Sequence, residues 1–454
     1  MNALIFSAVS GVIMMFSSFL LNNKSNVRIL AHVLLLATII ANILELRGIT
    51  FFHIDTRGML EFDRFALLFS LVANLCTFAY FLLSSRDMER IGNHYSDYFS
   101  LIFFILAGIV VSSSFKSLLM LFLGIEILSI PLYILTGSDK RNLKSNEASL
   151  KYFLMGSFST GLMLMGIALI YGATGTFQTG ITVAEKVPVL LITGMMLLLF
   201  AMSFKVSAAP FHFWTPDVYD GAPTVITSFM ATVVKAAGFI AFMRLFAEEF
   251  GSIRPEWKLL VGIVAAVTLF IGNITAVFQQ SVKRMLAYSS ISQAGFMMLA
   301  IYSISNDAKE GLILYAAAYS LATIGIFAVL VRMKDYTFEG FNGFAKQQPF
   351  LAAILVIFLL SLAGIPLTAG FLSKFYMLKA TIDGGSLALA IFAVLMAAVS
   401  VYYYFRLIQS MYFKAGNATI SGITTGFKYT LAVLAGITIL LGIFPNLLTY
   451  WLYF

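Results

Sequence analysis

The sequence predicts an all-α polytopic membrane protein with about fourteen transmembrane helices. Three observations predict it. Of 454 residues, 60% are hydrophobic and 11% are charged, with a mean hydropathy of +0.93. A soluble domain carries about 25% charged residues, and disorder needs high charge with few apolar residues. Sixty per cent of the chain is about 272 positions, and fourteen spans of about 20 apolar residues need about 280. Those apolar residues also come in long runs separated by short charged loops.

In chain order the runs are 3–21, 29–47, 65–84, 98–114, 116–136, 149–172, 189–213, 223–247, 257–278, 285–303, 310–331, 348–380 (broken), 386–411 and 428–450. Each has the length of a bilayer crossing. The first opens without a basic flank or cleavage site and reads as a retained helix. Residues 48–64 mix polar and apolar positions and suit a short hairpin outside the membrane. The connection after span 11 holds Arg332, Lys334, Asp335, Glu339 and Lys346 and suits an interfacial segment. The run Tyr450-Trp451-Leu452-Tyr453 suits the membrane–water boundary.

Net charge is +8, from 29 Lys+Arg against 21 Asp+Glu. With loops assigned alternately, one set holds about sixteen Lys and Arg, and the other, which includes Lys186, about nine. The positive-inside rule then puts both termini on the periplasmic side. No basic patch with interleaved aromatics points to nucleic acid. The single cysteine, Cys76, excludes a disulfide framework and an all-cysteine iron–sulfur cluster and reads as packing. His32, His53, His94 and His212 lack ligand spacing, so no metal is predicted. No glycine-rich phosphate loop is present. The expectation is a chain without a cofactor of its own.

Two spans look interrupted. Pro210 lies within FKVSAAPFHFWTP, and Pro366 lies between Gly364 and Gly370 in LSLAGIPLTAGFLSKFYML. A proline lacks an N–H and frees the carbonyl four residues back, here Val206 or Leu362. Interrupted spans five apart suggest two five-helix units, as in repeat-built transporters; two ordinary kinks are the plainer alternative. The expected division is 1–97 (spans 1–3 and the hairpin-like loop), 98–247 (first unit), 248–411 (second unit) and 412–454 (last helix).

Four ionisable residues fall inside spans: Glu126, Lys205, Lys235 and Lys374. A charge there costs several kcal/mol unless paired or hydrated, and marks ion or proton pathways. Snorkelling fails best for Glu126 and Lys235, about 15 Å from either helix end. Burial favours the neutral form of a lysine and a nearby carboxylate the charged form, so such a pair can take up and release a proton. Glu126 and Lys205 are expected to pair, with Lys205 and Lys235 as donor and acceptor across water. Pro131 and Pro210 free carbonyls at Ile127 and Val206 that suit water. Lys151 reads either as a proton uptake point or as one more loop charge. Lys283 and Arg284 read as interface anchors, Arg244 as a snorkelling side chain, and His212 as a structural residue. Asp217, Asp220 and Pro223 read as shaping the loop into span 8.

Five motifs, LGIEILSIPLYIL, EASLKYF, FKVSAAPFHFWTPDVYDGAPT, KRMLAYSSISQAGF and SLAGIPLTAGFLSKFYML, lie between residues 123 and 378, within a resemblance that covers nearly the whole chain. Together they resemble the antiporter-like subunits of respiratory complex I, the proton-pumping NADH:quinone oxidoreductase, and are closest to its N branch. The M branch carries a glutamate where Lys374 stands, and the L branch is longer, with a lateral helix. The resemblance implies two inverted five-helix repeats, discontinuous helices 7 and 12, and a hydrated charge row at the membrane midplane. Matched motif by motif, it gives proton-transfer roles to Glu126, Lys205, Lys235 and Lys374, and the helix 6 lysine falls on Lys151. Some relatives place a histidine on helix 11. Here that helix offers only Tyr315, Tyr319 and Ser320, so a link from Lys235 to Lys374 is expected to use water or hydroxyls.

The resemblance further implies flavin and iron–sulfur clusters in partner subunits, ubiquinone or menaquinone as acceptor, and a bacterial inner membrane. The implied partners are other membrane-arm subunits, among them the antiporter-like subunit M and small subunits such as K, together with phospholipids. The other readings are a cation/proton antiporter subunit, the equivalent subunit of a membrane hydrogenase or dehydrogenase, and a structural scaffold.

Overall fold

The computed structural model describes residues 1–21, 23–92, 94–181 and 187–453; Lys186, counted above among the loop charges, lies outside them. The described residues form no strand, only four isolated bridges. The helices are α1 (Asn2–Leu20), α2 (Lys24–Leu46), α3 (Arg64–Met88), α4 (Tyr95–Ser114), α5 (Leu118–Thr136), α6 (Leu143–Thr174), α7 (Val189–Lys205) and α8 (Trp214–Gly221). They continue as α9 (Thr224–Glu249), α10 (Arg254–Val277), α11 (Val282–Ser303), α12 (Asn306–Leu330), α13 (Pro349–Ala363), α14 (Ala369–Asp383), α15 (Leu387–Phe413) and α16 (Thr425–Ile443). Among the described residues, twelve helices are long and apolar enough to cross a membrane. Two broken pairs stand out: α13 with α14 fills the place of span 12, whereas α7 fills span 7 only as far as Lys205, and its partner α8 lies beyond that span's expected end, in the segment read as a loop into span 8.

The two breaks differ from simple proline kinks. Helix α7 ends at Lys205, before Pro210 is reached. Ser207 takes φ +63°, and the Ala208 N–H turns back to the Ser203 carbonyl at 2.8 Å. Pro210 sits in the connecting turn. Val206 is therefore outside the helix, and its carbonyl is not a ladder acceptor orphaned by Pro210. At the second break α13 ends on Gly364 at φ +85°, and Leu367 also takes a positive φ, +71°. The halves overlap tightly: a Cβ on Gly370 would lie 1.9 Å from the Ser361 carbonyl oxygen. Pro131, by contrast, stays within a continuous α5.

Residues 48–64 do not form a hairpin. Glu61 N–H bonds to the Ser114 carbonyl at 2.7 Å, and Lys116 N–H bonds to the Met59 carbonyl at 2.8 Å. The segment thus pairs with the linker between α4 and α5, where backbone groups outside a helix need partners. Asp63 caps α3 by accepting from Ala66 N–H at 2.8 Å.

Helix α12 is buried along its length and α9 and α11 nearly so, whereas α1, α2, α6, α15 and α16 form the rim. Rim side chains such as Leu154, Phe158 and Val433 point outward, which costs nothing when the surroundings are lipid. Close helix approach recurs at two glycines. A Cβ on Gly124 would meet Ser112 N at 2.7 Å, drawing α4 onto α5, and one on Gly272 would meet Ser292 N at 2.5 Å, drawing α10 onto α11.

Two cations expected at the lipid boundary are buried instead. Arg244 is 3% exposed. It pairs with Asp63 at 3.0 Å and Glu248 at 3.3 Å, and donates to the carbonyls of Phe115 (2.9 Å) and Ser113 (3.0 Å). The linker beneath it supplies partners, so it has no need to reach for the membrane surface. Lys283 donates to the carbonyls of Asp220 (2.9 Å) and Ala222 (2.8 Å), the end of α8 having folded over it.

Candidate functional site

Glu126 lies halfway along α5, whose first turn Ser117 caps. Its carboxylate accepts from Thr160 Oγ1 of α6 at 2.7 Å, and Lys205 Nζ stands 3.9 Å away. Lys205 donates instead to Ser129 Oγ at 3.0 Å and Tyr133 OH at 3.4 Å, both on α5. The expected pair is therefore brought together, but loosely, with the lysine's hydrogen bonds made to neighbouring hydroxyls. Lys205 is the last residue of α7, where the helix dipole favours a cation. Trp214 Nε1 bonds the Phe204 carbonyl beside it at 3.1 Å, and Tyr152 stacks on the Trp214 ring.

Lys235 follows directly on a wide π-type turn, Met230–Val234, in α9, a local irregularity common at functional positions. It is 2% exposed and donates to Ser290 Oγ at 2.6 Å and to the Ser290 carbonyl at 3.0 Å. Tyr319 OH reaches the same Ser290 Oγ at 2.9 Å. One turn back on α12, Tyr315 donates to Gln293 Oε1, and the two tyrosine rings lie 6.3 Å apart. Gln293 Nε2 donates to the Leu362 carbonyl at 3.0 Å and to Tyr404 OH at 2.9 Å, and Tyr404 OH shares a hydrogen bond with Ser289. Lys374 Nζ donates to the same Leu362 carbonyl at 2.7 Å and to Ala363 at 3.2 Å. Leu362 is the residue whose carbonyl Pro366 cannot serve, so the break at the second pair presents it to both Gln293 and Lys374.

Polar groups thus connect Lys235 to Lys374 with one gap, between the two tyrosines. Ser289, Ser290, Gln293 and Tyr404 were not singled out in the sequence. Ser290 and Gln293 share one face of α11 at i, i+3 spacing, within the serine-rich stretch LAYSSISQAGF. Among the described residues no hydrogen bond joins Lys205 to Lys235.

Lys151 of α6 is paired with Glu147 at 2.7 Å and with Asp217 at 3.2 Å, and Asp217 also pairs with Arg284 at 3.2 Å. Asp217 and Asp220, expected to shape a loop, stand on α8, and Asp217 is an ion-pair hub near the surface. His212 is buried in the turn between α7 and α8. Among the described residues no three His, Cys, Asp or Glu side chains gather as a metal site.

A polytopic helical bundle with a row of buried charges defines a membrane protein of the antiporter-like class. The family model for NADH:quinone oxidoreductase/Mrp antiporter transmembrane proteins matches residues 116–400. The chain is 42% identical over 457 residues to NADH-quinone oxidoreductase subunit N of Cytophaga hutchinsonii, covering 99% of this chain and 98% of that one. It is 37% identical over 459 residues to the subunit of that name from Flavobacterium psychrophilum, covering 98% and 99%. A chain of the solved respiratory complex I from Thermus thermophilus with bound aureothin matches at a TM-score of 0.85 and 30% identity, covering 99% and 98%. The chain belongs to the NADH-quinone oxidoreductase subunit N family.

Proposed function

We propose that this chain is a proton-translocating membrane-arm subunit of a NADH:quinone oxidoreductase, without redox chemistry of its own. The observation that carries the reading is the line of polar groups, broken once between Tyr319 and Tyr315, that runs from Lys235 through Ser290, Tyr319, Tyr315 and Gln293 to the Leu362 carbonyl, which Lys374 also bonds. A lysine at each end can hold or release a proton. The hydroxyls of Ser290, Tyr319 and Tyr315 can each hand one proton on as they receive another, while the Tyr319–Tyr315 gap and the stretch from Gln293 to Lys374, where both side chains donate to the Leu362 carbonyl, need water to complete the transfer. Glu126, by approaching or leaving Lys205, decides whether that lysine keeps its proton. Lys151, in its exposed ion-pair cluster, is the proposed uptake point. The break at Pro366 supplies a local backbone acceptor within the bundle, the Leu362 carbonyl, and Pro131, inside a continuous α5, cannot serve the Ile127 carbonyl beside Glu126.

The paired glycine contacts of α4 on α5 and α10 on α11, and the two broken pairs, support two inverted five-helix repeats over 98–247 and 248–411. Electrons would pass through flavin and iron–sulfur clusters of partner subunits to a quinone. The Glu126 side chain is 20% exposed on the isolated chain, and a carboxylate facing lipid is costly. We therefore assign that face to a neighbouring membrane subunit, of the M or K kind. In this reading both termini lie on the periplasmic side of a bacterial inner membrane, as the loop charges favour.

The test is Glu126→Gln in the assembled complex, with quinone-coupled proton pumping measured in membrane vesicles. The reading expects pumping to fall while assembly persists; unchanged pumping sinks the assigned role. The matching family model also spans Mrp antiporters, so a cation/proton antiporter is the second reading. It requires sodium-dependent pH changes in vesicles without NADH or quinone. Glu126 is the one carboxylate of the buried row, which makes a poor sodium site. A hydrogenase or other dehydrogenase assembly would reveal itself in the subunits that co-purify.

A further inference from the structure

Away from the buried lysines, α3, α12 and α16 leave a groove of about 570 Å³ in the side of the bundle. Leu75, Cys76 and Leu82 of α3 line one wall, and Val433, Ile437 and Leu441 of α16 line the other. Leu75, Leu82 and Val433 are 46%, 47% and 59% exposed, so the groove is open to its surroundings. From Tyr429 to Leu441 α16 rises about 18 Å, close to half of a hydrocarbon core of about 30 Å. Its length and lining match one acyl chain in one leaflet.

At Leu82 and Thr430 the groove runs into a second cavity, of about 400 Å³, which those residues also line. This one is polar. Arg28 from the start of α2, Arg86 and Arg90 from the end of α3, and Arg332 from just past α12 all line it, beside Gly426 at the start of α16. The opposing charges are Glu89, paired with Arg28 at 2.7 Å, and Asp87, paired with Arg90 at 3.4 Å and Arg332 at 3.2 Å. Four guanidiniums therefore meet two carboxylates, and Arg86, which is exposed, takes part in none of these pairs. Guanidinium forks suit phosphate oxygens, a helix start favours an anion, and basic pockets at helix ends bind anionic headgroups.

We propose that the two cavities form one site for an anionic phospholipid, its phosphate held by Arg86 and Arg90 and an acyl chain lying in the α3–α16 groove. A free phosphate would fill the polar cavity but leaves the continuous apolar groove without a role. A helix from a neighbouring protein would fill the groove but leaves the guanidinium excess uncompensated.

The test uses the assembled complex, with retained lipids counted by native mass spectrometry after exchange against vesicles of phosphatidylglycerol or phosphatidylcholine. Wild type is expected to keep a tightly held phosphatidylglycerol that phosphatidylcholine does not replace. R86Q/R90Q removes the headgroup contact and Val433→Trp fills the groove; each is expected to lose that lipid. A photo-crosslinking residue at position 433 in an otherwise unaltered complex is expected to capture lipid, which keeps the proposal open to test if an arginine variant fails to assemble. Unchanged lipid retention in both variants, or capture of a protein at position 433, overturns it. So does displacement by inorganic phosphate of the anion at the arginines while Val433→Trp leaves retention intact.

Discussion

Tyr319 and Lys235 both donate to Ser290 Oγ, so the serine hydroxyl is held by a phenol and a lysine at once. Tyr319→Phe removes one hydrogen bond, about 0.5–1.5 kcal/mol, and breaks the path at that point. We expect proton pumping to slow by roughly tenfold, the equivalent of about 1.4 kcal/mol, with the complex still assembled. Pumping rates in vesicles at saturating NADH check it; an unaltered rate would remove Tyr319 from the path. The charged ends of the path were legible in the sequence because a lysine or glutamate in an apolar run is costly unless something receives it. Its middle was not. Ser290, Gln293 and Tyr404 are unremarkable in a membrane helix until folding brings α11, α12 and α15 together. Lys283 and Arg244 were misread for a related reason: distance from a helix end does not say whether that end meets lipid or is covered by a neighbouring segment.

At the scale of elements, the second break depends on α14 pressing against α13 at Gly370. Gly370→Ala would put a Cβ on the Ser361 backbone oxygen, which cannot yield as a side chain would. Overpacking of this kind costs about 1–3 kcal/mol, so thermal stability of the complex, measured by melting in detergent, should fall. An unshifted melting curve would show that the halves are freer than the structure has them. The corner between α3, α4 and α5 carries a pH-dependent contribution. The ammonium of Lys116, bonded to Glu61 at 2.9 Å, holds that carboxyl below its ordinary range, and Glu61 in turn raises Lys116 above its own. A lowered carboxyl stabilises above its ordinary value and loses the effect as pH falls through the folded value. A raised lysine stabilises below its ordinary value and loses the effect as pH rises through the folded one. The melting temperature of wild type should therefore exceed that of Lys116→Met across neutral pH, the margin shrinking at both extremes. A margin independent of pH would contradict the pairing. The breaks themselves were foreseen from Pro210 and Pro366, but only the second works through its freed carbonyl. At the first, Ser207 ends the helix before the proline acts, a backbone choice that composition does not reveal.

At the scale of the whole molecule, composition alone placed the chain in a membrane. Apolar runs located most helix ends to within about five residues, because bilayer thickness sets their length, the larger misses being the start of α6 and the ends of α7 and α16. Their arrangement was less accessible, since α9 and α12 are as apolar as the rim yet lie at the centre; of the central helices only α11 is distinctly more polar. That central position brings together, from α11, α12 and α13, the polar groups that lie between Lys235 and Lys374. The most direct measurement is the number of protons moved per electron by the complex carrying Lys235→Ala, reconstituted in proteoliposomes and driven by NADH and quinone. The account predicts a lower ratio in an assembled complex that still transfers electrons. An unchanged ratio in such a complex would contradict it.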